Sequence, residues 1–154
     1  MASTTFSGPV TSTNGFIGNL TGNVTGNVAG SGSITHATTS AINATATATA
    51  AEVATGYITS TSAAATAITL PTGTLLGAAL GAAKGTVFDL YIDNTGGAST
   101  VTIAVATNGI LSAAAAAGSG AGAGLLTVPS GVTGIGCFRI VFASATAYVF
   151  SRIA

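Results

Sequence analysis

Val87-Phe88-Asp89-Leu90-Tyr91-Ile92-Asp93 alternates apolar and polar side chains from Phe88 onward. Successive side chains of a strand point to opposite faces, so Phe88, Leu90 and Ile92 turn toward a core while Asp89, Tyr91 and Asp93 turn away. Asn94-Thr95-Gly96-Gly97 follows at once and carries turn chemistry. Thr100 to Ala106 then reads as the returning strand, so the stretch predicts a hairpin with one wet face.

Outward from it, the C-terminal part keeps the same texture. Leu125 to Val128 is a short strand ended by Pro129-Ser130-Gly131, after an Ala/Gly/Ser loop from Ala113 to Gly124 that has little to bury. Cys137 to Phe142 and Ala147 to Ile153 pair around Ala143 to Thr146, with Phe138, Ile140 and Phe142 as an inward row. Upstream, Leu75, Leu76, Ala79, Leu80 and Ala83 fall at helical spacings. Thr74 is the expected N-cap and Gly85 the expected stop, with Lys84 in the last turn. Tyr57-Ile58-Thr59 and Ala67-Ile68-Thr69-Leu70 read as strands, the second halted by Pro71. The fold class expected for residues 56–154 is mainly β: a compact antiparallel β-sandwich, jelly-roll-like, with one short helix.

Residues 1–55 read differently, as an extended arm or stem. Asn14 to Gly30 is NGFIGNLTGNVTGNVAG, with Gly18, Gly22, Gly26 and Gly30 at every fourth position. At period two, Phe16, Gly18, Leu20, Gly22, Val24, Gly26 and Val28 share one face, and Phe6, Gly8 and Val10 continue it. Such a strand, about 50 Å long at roughly 3.3 Å per residue, cannot fill a core alone. Several copies around one axis can interdigitate large residues against glycines. Phe6, Val10, Phe16, Gly18, Leu20, Gly22, Val24, Gly26 and Val28 are therefore the candidate contacts between chains or with a shell. The alternating Ala44 to Ala50 run favours a second extended section.

Composition excludes several functions. Charged residues make up 4% of the 154, against about a quarter in a typical domain, and the net charge is zero. Lys84, Arg139 and Arg152 cannot build a basic track, so nucleic acid is not an expected partner. The uncharged stretch between Glu52 and Lys84 is mostly Ala, Thr, Ser and Gly and contains Pro71, a poor spanning helix, so no membrane contact is expected. The N-terminus shows neither a basic n-region nor an apolar h-region, which implies synthesis in the cytoplasm. The N-x-T sequons at Asn19, Asn23 and Asn43 then read as by-products of an Asn/Thr strand face.

Catalytic material is scarce, and the expectation is no enzyme and no cofactor. His36 is the only histidine and has no carboxylate near it in sequence, which favours a structural or interface role. Asp89 and Asp93 stand four residues apart on one strand face, too far for a proton-sharing dyad, and the favoured reading pairs one of them with Arg139 across strands. Asp93 to Gly96 has the oxygen-rich look of a calcium-loop fragment without its remaining ligands, so it is read first as a turn and no metal is expected. Cys137, the lone cysteine, sits in GIGCFRIVF as a small hydrophobe.

Two segments carry a family resemblance. FSGPVTSTNGFIGNLTGNVTGNVAG resembles the Gly/Asn-rich leaders of tailed-bacteriophage head-fibre and tail-fibre proteins. The segment from Ile58 to Ala104, ITSTSAAATAITLPTGTLLGAALGAAKGTVFDLYIDNTGGASTVTIA, through the terminal FRIVFASATAYVFSRIA, is similar to the β-sandwich domains of trimeric phage capsid decoration, or cement, proteins. The resemblance implies a homotrimer on the exterior of the virion, bound to the major capsid protein and reinforcing contacts between its copies. It carries over no catalytic residue. A head or tail fibre that grips a host receptor or glycan is the alternative.

Overall fold

The computed structural model describes residues 38–111 and 126–153, all within one compact unit that spans Ile34–Ala154. Among these residues the chain is mainly strand, arranged in two mixed sheets with few helices. In chain order the elements are β1 (Ser40–Ala41), β2 (Ala46–Thr47), α1 (Ala50–Ala54), β3 (Tyr57–Thr59), β4 (Thr66–Thr69), α2 (Gly73–Leu80) and β5 (Val87–Asp93). Then come β6 (Val101–Ala104), β7 (Gly109–Leu111), β8 (Thr127–Val128), a 3-10 turn (Gly131–Thr133), β9 (Ile135–Ser144) and β10 (Ala147–Arg152).

The first six strands alternate between the sheets. One sheet runs β1-β3-β5-β9-β10-β7 and the other β2-β4-β6-β8. β1, β3 and β5 lie parallel, as do β2, β4 and β6, so the chain makes three successive rungs with one strand in each sheet. Ile58 stacks in register on Ile92, and Ile68 on Ile103. All four are buried, and with Leu90, Val101, Val128, Phe138, Ile140, Phe142, Tyr148 and Phe150 they belong to a single core drawn from both sheets. Burying each such side chain is worth about 1.5–3 kcal/mol relative to leaving it in water. The last strands reverse the direction: β9 runs antiparallel to β5, β10 antiparallel to β9, and β8 antiparallel to β6.

Several expectations change here. The sheets are mixed, not antiparallel throughout. Segment 100–106 does not return beside β5; its strand, β6, belongs to the other sheet. The reason lies in the turn. Gly97 donates its amide to Asn94 O at 3.1 Å, as a four-residue turn requires, but Asn94 also sends its side chain across to the other sheet. Of the Ala44 to Ala50 run only Ala46–Thr47 is strand, because Thr49 starts a helix. Its hydroxyl accepts from Glu52 N at 3.2 Å while the Glu52 carboxylate accepts from Thr49 N at 2.7 Å, a reciprocal capping box. Ile42, Ala48 and Val53 are all buried in the shared core. The boundary expected between residues 55 and 56 thus falls inside the compact unit.

The second helix is displaced from its expected limits. Thr72, not Thr74, caps α2, its hydroxyl accepting from Leu75 N at 3.3 Å. Gly81, not Gly85, ends it in the left-handed region at φ 58°, with Gly81 N bonded to Ala78 O and Ala82 N to Gly77 O. The face turned to the protein is Gly73, Leu76 and Gly77, whereas Leu75 is exposed. Glycine is needed at 77 because a β-carbon there would stand 1.9 Å from Ala145 O in the β9–β10 turn. Apolar spacing alone does not reveal that small residues dock the helix.

A candidate interaction surface

Strand register sorts the outward side chains of the six-stranded sheet into rows that cross the strands. Ala41, Thr59, Asp93 and Ile135 form the first, and Tyr57, Tyr91 and Cys137 the second. Ile153 continues the second row, its amide bonding Cys137 O at 2.9 Å. Asp89, Arg139 and Ser151 make the third, and Val87, Val141, Val149 and Ile110 the fourth. The inward partners of these positions fill the core, so the outer face is displayed by a rigid layer.

The ion pair expected across strands forms with Asp89. Arg139 Nε donates to Asp89 Oδ1 at 2.7 Å and Nη2 to Oδ2 at 2.8 Å, a two-pronged contact that uses both carboxylate oxygens. Arg139 holds the Asp89 carboxyl below its ordinary value. Asp93 makes different bonds. Its Oδ1 accepts from the Thr95 hydroxyl at 2.6 Å and the Thr95 amide at 2.9 Å, and its Oδ2 from the Tyr57 hydroxyl at 2.8 Å. The Thr95 hydroxyl leads the forces that lower the Asp93 pKa, and the same Tyr57 bond raises that of the phenol. Asp93 to Gly96 is accordingly a side-chain-braced turn whose carboxylate oxygens already serve three donors. Among the described residues no three His, Cys, Asp or Glu side chains gather as a metal set.

Tyr57 and Tyr91 stack across β3 and β5 with ring centroids 6.3 Å apart. The Cys137 thiol, which forms no disulfide, is buried on this otherwise outward row and bonds to the Tyr91 side chain, which raises the Tyr91 pKa. A small apolar position was expected for Cys137, and its burial agrees.

Two side chains tie the sheets together. Asn94 is fully buried and its amide nitrogen donates to Ser99 O at 2.8 Å, Pro129 O at 3.0 Å and Val128 O at 3.2 Å. Its Oδ1 has no hydrogen-bond partner and points where a β-carbon on residue 97 would stand 2.1 Å away, which admits only glycine there. Arg152 reaches from β10 to Thr127 O on β8 and lies over the Phe138 ring, 5.7 Å from its centroid.

The contact residues expected from the sequence, Phe6, Val10, Phe16, Gly18, Leu20, Gly22, Val24, Gly26 and Val28, lie outside the described residues, as do His36 and the 113–124 loop. What the structure adds is the Val87, Val141, Val149 and Ile110 row. Val87, Val141 and Val149 are visible singly as polar-phase positions of expected strands, whereas the strand that carries Ile110 was not expected, and the alignment of all four needs the register. Among the described residues no helix is long and apolar enough to cross a membrane. Neither the family models, nor the curated proteins, nor the solved structures compared with this chain include a match.

Proposed function

We propose that this chain is a structural virion protein, a homotrimer that binds the outer surface of an icosahedral phage capsid and strengthens contacts between copies of the major capsid protein. In this reading the two sheets are the layers of a jelly-roll-like β-sandwich, and residues 1–30 contribute the alternating Gly/apolar strand through which chains meet each other or the shell. The observation that carries it is the outer face of the six-stranded sheet: apolar rows on both sides of one ion pair that neutralises itself. Around that pair the face suits burial against protein, because Asp89 and Arg139 ask a partner for no compensating charge. Weak contacts repeated over a lattice add up by avidity, which suits a chain with so few charges.

The test adds the purified full-length protein to capsids assembled without it and follows co-sedimentation and cryo-EM density. Saturable binding, density at three-fold or quasi-three-fold positions and a higher capsid melting temperature are expected. No association with capsids, together with saturable binding of the isolated protein to host cells, would replace this reading with that of a receptor-binding fibre.

A further inference from the structure

Among the described residues the buried polar side chains are Ser60, Thr66 and Asn94, and all three stand at one corner of the fold. Ser60 follows β3, Thr66 opens β4 and Asn94 follows β5, so this is the corner where successive rungs pass from one sheet to the other. The ladder of bonds continues one residue past β1, β3 and β5. Ile42 N donates to Thr59 O at 2.9 Å, Ser60 N to Asp93 O at 2.8 Å and Asn94 N to Gly134 O at 2.6 Å. Ile42, Ser60 and Asn94 thus form one inward row, next to the row that holds Ile58 and Ile92.

Polar groups around this row are paired. Ala98 N donates to Ser62 O at 3.0 Å, Thr66 N to Thr100 O at 3.1 Å and the Thr66 hydroxyl to Ala64 O at 3.2 Å, and Asn43 Oδ1 accepts from Thr61 N at 2.8 Å. Two buried atoms stand apart from this pattern: Ser60 Oγ and Asn94 Oδ1 have no protein partner. Native interiors meet such a demand with ordered water. We propose that the corner binds one internal water molecule, which accepts from the Ser60 hydroxyl and donates to Asn94 Oδ1.

Direction, space and chemistry agree on this site. The Asn94 amide nitrogen faces Val128 O and Pro129 O, and β8 lies beyond β6 on the side away from β4. The oxygen of the same planar amide therefore turns the other way, toward the rung that carries Ser60. Ser60 is the smallest side chain of its row, between Ile42 and Asn94, which leaves room beside its hydroxyl for the ~30 Å³ of a water. The ligand is water and not an ion. The site offers two neutral oxygens, while the adjacent carboxylate, Asp93, turns to the opposite face and is bonded to Thr95 and Tyr57. Two neutral oxygens do not offset the dehydration of a buried charge. With the water bound, the Asn94 amide is bonded at both ends, and the two rungs are joined through side chains as well as backbone.

NOESY and ROESY spectra of the 15N-labelled full-length protein test this, with a crystal structure of the same protein as the second measurement. The Asn94 side-chain NH2 is expected to show cross-peaks to water with the sign that marks a long-lived molecule. Ser60→Ala, which has no hydroxyl at 60 to relay exchange with solvent, should keep them. Ser60→Val, whose extra methyl groups fill the space, should lose them. In urea unfolding Ser60→Val should have the lower midpoint of the two, because it leaves Asn94 Oδ1 dry. A dry corner gives the reverse order, since Val then fills empty space and favours strand. In the crystal an ordered water is expected within hydrogen-bond distance of both Ser60 Oγ and Asn94 Oδ1. The proposal is overturned by a Ser60→Val midpoint above that of Ser60→Ala, by cross-peaks that vanish in Ser60→Ala, or by a direct bond between Ser60 and Asn94 with no water between them. If Ser60→Val fails to fold, the wild-type and Ser60→Ala spectra and the crystal structure decide.

Discussion

Tyr148 shows how much one buried side chain settles. It is fully buried on β10, packs against Phe142 with ring centroids 5.8 Å apart, and donates its hydroxyl to Pro71 O at 3.0 Å, linking β10 to the start of α2. Burial pushes its pKa up to about 12 from 10.0. The folded state therefore holds the phenol proton more tightly than the unfolded chain. The stabilisation is complete below pH 10 and is lost as pH rises toward 12. Tyr148→Phe removes the bond and strands the Pro71 carbonyl, so urea unfolding should show a loss of about 1–2 kcal/mol at neutral pH and a flatter alkaline limb.

Asn94 is the second residue whose role is out of proportion to its size. With three carbonyls around one amide nitrogen, Asn94→Ala should lower stability by about 3 kcal/mol in urea titration. Asn94→Asp should be worse at neutral pH, since a buried carboxylate would face those carbonyl oxygens, and should recover as acid neutralises it. The native carboxylates behave oppositely. Asp89 and Asp93 both titrate below 3.8 in the fold, so their contribution is present above that pH and lost as pH falls through the folded values. In a carboxyl 13C NMR titration, Arg139→Gln should raise the Asp89 midpoint and leave that of Asp93 in place.

At the scale of elements, α2 offers a sign test. Replacing glycine by alanine inside a helix ordinarily stabilises it by about 0.5–1 kcal/mol. At Gly77 the added carbon would meet the Ala145 carbonyl, backbone that cannot swing aside. Gly77→Ala should therefore destabilise by about 1–3 kcal/mol in chemical denaturation, with the β9–β10 turn showing the largest amide shift changes. The same contact explains why the helix limits differ from those that the apolar spacing predicts. Thr72 and Gly81 are as good a cap and stop as Thr74 and Gly85 by residue type, and only docking on the turn selects between them. The strands were easier. The inward rows Leu90 and Ile92 and Phe138, Ile140 and Phe142, and the Asp89–Arg139 pair, follow from alternation, because burial on one face imposes period two wherever a strand packs.

At the scale of the whole molecule, the proposed role assigns residues 1–30 to contact with the shell or with other chains. Deleting them should abolish capsid co-sedimentation while leaving the circular dichroism and unfolding midpoint of the compact unit nearly unchanged; normal coating by the truncated protein would remove that role. Sequence alone determined the mainly β character, the inward and outward faces, the turn at Asn94 and the ion pair across strands, since each depends on neighbours a few residues apart or on a simple two-residue period. Tertiary structure decided the parallel rungs, the passage of the chain from β5 to the other sheet, the inclusion of residues 40–55 in the core and the alignment of the Val87, Val141, Val149 and Ile110 row. Those depend on register between distant strands, which is set by how Asn94, the helix glycines and the stacked isoleucines fit together, and no local pattern contains that information.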